Sequence, residues 1–138
     1  MNGDLSTLRS GDVAMGDELP PLEIPITATL VVAGAIASGD YQEVHHDAEL
    51  SKSRGTKDIF MNILTTNGLL GRYVTDWTGP DALLKAVRLR LGAPNYPGDT
   101  MTLTGKVTAA AEGEITLEIV GANSLGNHVT ATVEVALP

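Results

Sequence analysis

The chain has 138 residues, 43 % of them hydrophobic and 19 % charged, with a formal net charge of -8. That is one globular domain with room for a core, and its acidity argues against nucleic acid or an anionic membrane as partner. Cysteine is absent, which excludes disulfides and thiolate chemistry.

Residues 1–20 are polar, Gly-rich and without period, and read as a loose N-terminal arm ahead of a single domain over 21–138. The start lacks the charged-then-apolar pattern of a signal peptide, and TLVVAGAIAS is too short to span a bilayer. A soluble cytoplasmic protein is the expectation. After the Pro20-Pro21 break, Glu23–Thr27 suits a short strand. Residues 28–38, ATLVVAGAIAS, suit helix or strand, with the alanines favouring a helix ended by Gly39. Polar loops follow, GDYQEVHHDAEL over 39–50 and KSRGTKD over 52–58.

IFMNILTTNGLLGRYVT, 59–75, is expected to be one helix buried nearly all round, with Gly68 and Gly71 admitting a neighbouring backbone. DWTGPD, 76–81, breaks it. The period then falls to two. In LLKAVRLRL, Leu83, Val87, Leu89 and Leu91 share one face, and Leu84, Ala86, Arg88 and Arg90 the other. GAPNYPGD turns the chain. Met101, Leu103 and Val107 point inward from the next strand, and Glu112-Gly113 forms a tight turn. Ile115, Leu117 and Ile119 follow, then SLGN, then Val129, Ala131, Val133, Val135 and Leu137. Helices followed by a meander mark an α+β fold, with an antiparallel sheet curled around one long helix. Open sheet edges are usually paired or covered, so an oligomer is expected.

Two of the three histidines stand together in the loop GDYQEVHHDAEL. Asp40 and His45, spaced D-x4-H, suit an acid/base pair acting on one water, because imidazole exchanges protons near neutral pH. The bland reading is a solvated turn. His46 suits the surface. A metal site using both histidines with Glu43 or Asp47 is poorly supported, since adjacent histidines chelate badly and no distant ligand cluster is evident. His128, on a strand after a turn, reads as structural.

SGDYQEVHHD resembles the hydratase-2 motif G-D-x-N-P-x-H of the MaoC-like enoyl-CoA hydratases: Gly39, Asp40 and His45 match, while Gln42 and Glu43 replace Asn and Pro. The family's P-I-x-H-G-M corresponds to residues 58–63, Asp58-Ile59-Phe60-Met61-Asn62-Ile63, and its P-G-D strand opener to Pro97-Gly98-Asp99. The resemblance covers nearly the whole chain from residue 20 and implies the hot-dog fold. VHHD, GTKDIFMNILTTNGLLGRYVTDWTGPDALL and RLRLGAPNYPGDT are most similar to the steroid side-chain branch of actinobacteria. There a small catalytic subunit pairs with a second MaoC-like chain in a heterotetramer of two plus two chains.

The resemblance implies hydration of a trans-2-enoyl-CoA, here on a bulky, cholesterol-type steroid side chain. Asp40 and His45 would activate the water, and the Asn62 backbone N–H would meet the developing oxyanion. No cofactor or metal is implied, since CoA is part of the substrate. Trp77 suits an acyl pocket or plain packing. Arg88 and Arg90, or the 52–54 cluster, suit CoA phosphates or solvent. Two other readings stay open. A hot-dog thioesterase would use a carboxylate near the central helix, such as Asp58 or Asp76. A non-catalytic subunit would support a catalytic partner.

Overall fold

The computed structural model describes residues 6–138. Its elements in chain order are β1 (Glu18–Pro25), α1 (Ala28–Ala37), α2 (Ala48–Ser53), α3 (Ile63–Thr78), β2 (Leu83–Leu91), β3 (Thr100–Ala111), β4 (Glu114–Asn123) and β5 (Gly126–Ala136). The strands form one antiparallel sheet in the order β1-β3-β4-β5-β2. The sheet packs on α3 in the hot-dog arrangement.

The meander follows its period. Met101, Leu103 and Val107 of β3, Ile115, Leu117 and Ile119 of β4, and Val129, Val133 and Val135 of β5 are all buried. Glu112 and Gly113 both adopt positive φ, 53° and 81°, as a two-residue hairpin turn requires. In α3 the buried positions Thr66, Leu70, Tyr73, Val74 and Thr78 recur at helical spacing and make one stripe.

Several expectations are corrected. The first strand starts at Glu18, not Glu23, and its register breaks between Leu19 and Leu22, where Pro20 and Pro21 have no N–H to pair. Residues 1–5 of the expected arm lie outside the described residues. The rest of the arm is tied down: Leu8 N–H donates to the Thr78 carbonyl, Gly16 N–H to Val107, and Val13 joins the core.

The central helix begins at Ile63, not Ile59, because the Asn62 side chain caps it by accepting from Thr65 N–H. It is not buried all round, since Ile63 and Leu64 are about half exposed. Gly68 meets no neighbour and Gly71 only a Leu84 methyl. The close approach is instead at Gly34 of α1, where an added Cβ would strike the Thr65 side chain of α3. In β2 the register shifts between Leu84 and Ala86, which re-phases the strand. Leu84, Val87 and Leu89 therefore pack on the core, while Leu83 is 64 % exposed. Helix α2, inside the expected loops, starts at Ala48 and is capped by Asp47, whose carboxylate accepts from Leu50 N–H. Among the described residues, no helix is long and apolar enough to cross a membrane.

Candidate active site

Asp40 follows the C-terminus of α1, and its N–H donates to the Ala35 carbonyl. His45 ends a single 3-10 turn, Glu43–His45, and is buried. The turn is held at Val44, whose carbonyl accepts from Phe60 N–H at 3.2 Å and from Ser51 Oγ of α2 at 3.0 Å. The D-x4-H spacing thus curls back on itself, leaving His45 Nε2 3.2 Å from Asp40 Oδ2.

The other imidazole nitrogen fixes the tautomer. His45 Nδ1 lies 2.7 Å from the Phe60 carbonyl, which only accepts, so Nδ1 carries a proton. Nε2 is left to face Asp40. The Phe60 ring packs edge-on against the imidazole, with centroids 5.0 Å apart. Asn62 completes the group: its Nδ2 donates to Ser38 Oγ at 2.9 Å and to Asp40 Oδ2 at 3.2 Å.

Asp40, His45, Phe60 and Asn62 line a depression of about 350 Å³ together with Met61, Leu91, Ala93 and His128. Asn62 is the N-cap of the sixteen-residue α3, so the positive end of that helix dipole lies at the depression. A polar pair on one wall and a helix N-terminus at the same mouth suit a reaction in which a proton moves and an oxygen gains charge.

The remaining expected residues lie elsewhere. Trp77 is fifteen residues along α3 from Asn62 (77 − 62), about 22 Å at 1.5 Å per residue. It lines a separate, largely apolar depression with Pro20, Pro21, Leu22, Tyr73 and Asp76. Arg88 and Arg90 fall on the outer face of the sheet beside Glu118 and Thr130, and Arg88 pairs with Glu134 at 3.3 Å. Arg54 of the 52–54 cluster stands 3.9 Å from Glu43.

His46 is exposed, with Nε2 3.3 Å from the Tyr41 carbonyl. Glu43 and Asp47 are engaged with Arg54 and Leu50 N–H, and among the described residues no three His, Asp or Glu side chains group as metal ligands. Asp58 does not open α3; it lies five residues before Ile63 (63 − 58), its Oδ1 accepting from Ile59 N–H. Asp76 pairs with Arg72 on the exposed far end. Neither carboxylate lines the Asp40–His45 depression.

Two contributors were not foreseen. The Asn62 side chain, expected to matter only through its backbone, reaches Asp40 across 22 positions of sequence. His128 is in the wall: Nδ1–H donates to the Ala93 carbonyl at 2.7 Å and Nε2 accepts from Thr66 Oγ at 2.8 Å. Burial lowers its pKa, the Ala93 bond opposing this more weakly, so it is held as neutral imidazole. Nothing in a lone histidine after a turn signals that placement.

The family model described as "MaoC like domain" matches residues 13–129. The chain belongs to the MaoC-like family. This MaoC-like chain is 52 % identical over 123 residues to the "3-oxo-4,17-pregnadiene-20-carboxyl-CoA hydratase beta subunit" of Mycobacterium tuberculosis, covering 89 % of this chain and 95 % of the relative. Among solved structures it is similar to a chain of the ChsH1-ChsH2 complex from Mycobacterium tuberculosis, with 51 % identity and a TM-score of 0.89. That match covers 91 % of this chain and 98 % of the other. The R-hydratase PhaJ1 from Pseudomonas aeruginosa superimposes with a TM-score of 0.87 at 18 % identity, covering 96 % and 86 % of the two chains, and shares the fold.

Proposed function

We propose that this MaoC-like protein hydrates a trans-2-enoyl-CoA thioester on a steroid side chain, working with a second MaoC-like subunit in an assembly of two plus two chains. The observation that carries the reading is the Asp40–His45 pair, 3.2 Å apart at the N-terminus of α3. The 52 % identical relative named as a steroid carboxyl-CoA hydratase beta subunit supports the substrate class. The similar chain solved in the ChsH1-ChsH2 complex supports the second subunit.

The chemistry follows from the geometry. A water held between Asp40 and His45 loses a proton to the pair while its oxygen bonds to the β-carbon. The π electrons move onto the α-carbon and the thioester carbonyl. The Asn62 backbone N–H at the helix N-terminus meets the charge on that oxygen. The pair then returns its proton to the α-carbon, so one water is added and no cofactor is consumed. A donor of this kind is typically worth about 10²–10³ in rate.

The test follows the enoyl absorbance of 3-oxo-4,17-pregnadiene-20-carboxyl-CoA and of crotonyl-CoA, with this chain alone and with a second MaoC-like subunit. Steroid turnover that requires both chains is expected. Turnover of crotonyl-CoA by the lone chain would contradict the heteromeric steroid reading. Release of free thiol with the double bond intact would make the protein a thioesterase.

A further inference from the structure

Asn62 stands where the family pattern has glycine, yet its side chain is buried and every hydrogen-bonding position of its carboxamide is used. Nδ2 donates to Ser38 Oγ and Asp40 Oδ2; Oδ1 accepts from Thr65 N–H and from the Thr65 hydroxyl. A glycine there would supply none of these bonds. The carboxamide therefore joins three pieces of chain: the C-terminus of α1, the Asp40 loop and the first turn of α3.

The consequence falls on the carboxylate. Asp40 Oδ2 has two neighbours, Asn62 Nδ2 and His45 Nε2, each at 3.2 Å. Oδ1 has the weaker bond, from Gln42 N–H at 3.3 Å. Oδ2 accepts the Asn62 amide hydrogen and has the His45 ring against it, while Oδ1 keeps a lone pair. The loop contributes only a backbone N–H from Gln42, the position where the family motif has Asn.

We infer that Asn62 is a positioning residue for Asp40: its Nδ2–H fixes the rotation of the carboxylate so that Oδ1 is presented to the water. The inference deepens the hydration reading and rests on it. The same side chain caps α3, so it sets the carboxylate and the oxyanion donor in one frame. This gives Asn62 two separable roles, one through its backbone and one through its amide.

Asn62→Asp tests the inference. It keeps the shape and the cap, since Asp is as good an N-cap as Asn. It removes the Nδ2–H donors and sets a second carboxylate against Asp40 Oδ2, where His45 is the other titratable neighbour. The assembled complex is assayed with 3-oxo-4,17-pregnadiene-20-carboxyl-CoA across pH. The expected result is kcat lower by about tenfold or more with KM little changed. The acidic limb of the kcat profile moves up by about one pH unit, because like charges oppose ionisation. Asn62→Ser, uncharged and still a good cap, should lower kcat without moving that limb, and it carries the test if the Asp variant does not fold. A purely structural Asn62 would lower only the melting temperature. Either that outcome or wild-type profiles for both variants overturns the inference. Asp40→Asn in the same assay separates the two layers. An Asp40→Asn complex that still hydrates removes Asp40 from the reaction and with it the Asp40–His45 reading of the site, while an inactive one beside a wild-type-like Asn62→Asp sinks only the role of the amide.

Discussion

At the residue scale, His45 and His128 show how surroundings divide one side-chain type into two roles. Both give Nδ1–H to a backbone carbonyl, Phe60 and Ala93 respectively. His45 Nε2 then faces a carboxylate at the depression, whereas His128 Nε2 is closed off by Thr66. The lowered pKa of His128 has a signed consequence. Below the unfolded value of about 6.5, the unfolded chain takes up a proton that the fold resists, so stability falls as pH falls and is fully present above that value. Thermal melts followed by circular dichroism should show a drop in melting temperature between about pH 7 and 5. The drop should shrink in His128→Gln, and an identical slope in both proteins would contradict the assignment. Asp40 and His45 were legible in the sequence because both lie in one short loop with a spacing that pairs them. The Asn62 amide was not, because a contact between residues 40 and 62 depends on how α1, the loop and α3 meet.

At the element scale, the strands β3, β4 and β5 were legible because each buries one face, and a period of two leaves no second register for their Val, Ile and Leu. Strand β2 departs from its alternating pattern because one extra residue near Lys85 changes no letter pattern yet exchanges the faces of Leu83 and Leu84. Helix α3 lies later in the chain than the 59–75 expected: Ile59, Phe60 and Met61 are apolar without being helical, Asn62 caps the start, and the helix runs through Asp76 and Trp77 to Thr78, ending at Gly79. The close approach expected at Gly68 and Gly71 is absent there. Because Thr65 of α3 fills the space above Gly34, Gly34→Ala should cost about 1–3 kcal/mol. Gly68 is exposed, mid-helix and open, so Gly68→Ala should gain about 0.5–1 kcal/mol. Denaturant midpoints measure both, and a stabilised Gly34→Ala would contradict the α1–α3 packing. That packing also sets the site, since Ser38 and Asp40 leave the end of α1.

At the scale of the whole molecule, the two edges of the sheet differ. Strand β1 carries Pro20, Pro21 and Pro25, which cannot donate to an added strand, and residues before it are bonded to the fold. Strand β2 has no proline along its nine residues and pairs only with β5. The account predicts that the second subunit docks on the β2 side, where Leu91 also lines the Asp40–His45 depression. Amide hydrogen exchange in β2 should slow when that subunit is added to the chain, and unchanged exchange there would move the interface elsewhere. An oligomer was legible only as an edge problem, because which edge stays open depends on strand order rather than composition.

The most direct test of the central claim is steady-state hydration of 3-oxo-4,17-pregnadiene-20-carboxyl-CoA by the complex carrying Asp40→Asn or His45→Ala, with melting temperatures taken in parallel. The account predicts turnover lower by about 10²–10⁴ in each, the usual worth of a positioned acid or base, with the fold retained. Near wild-type turnover in either folded variant would contradict it.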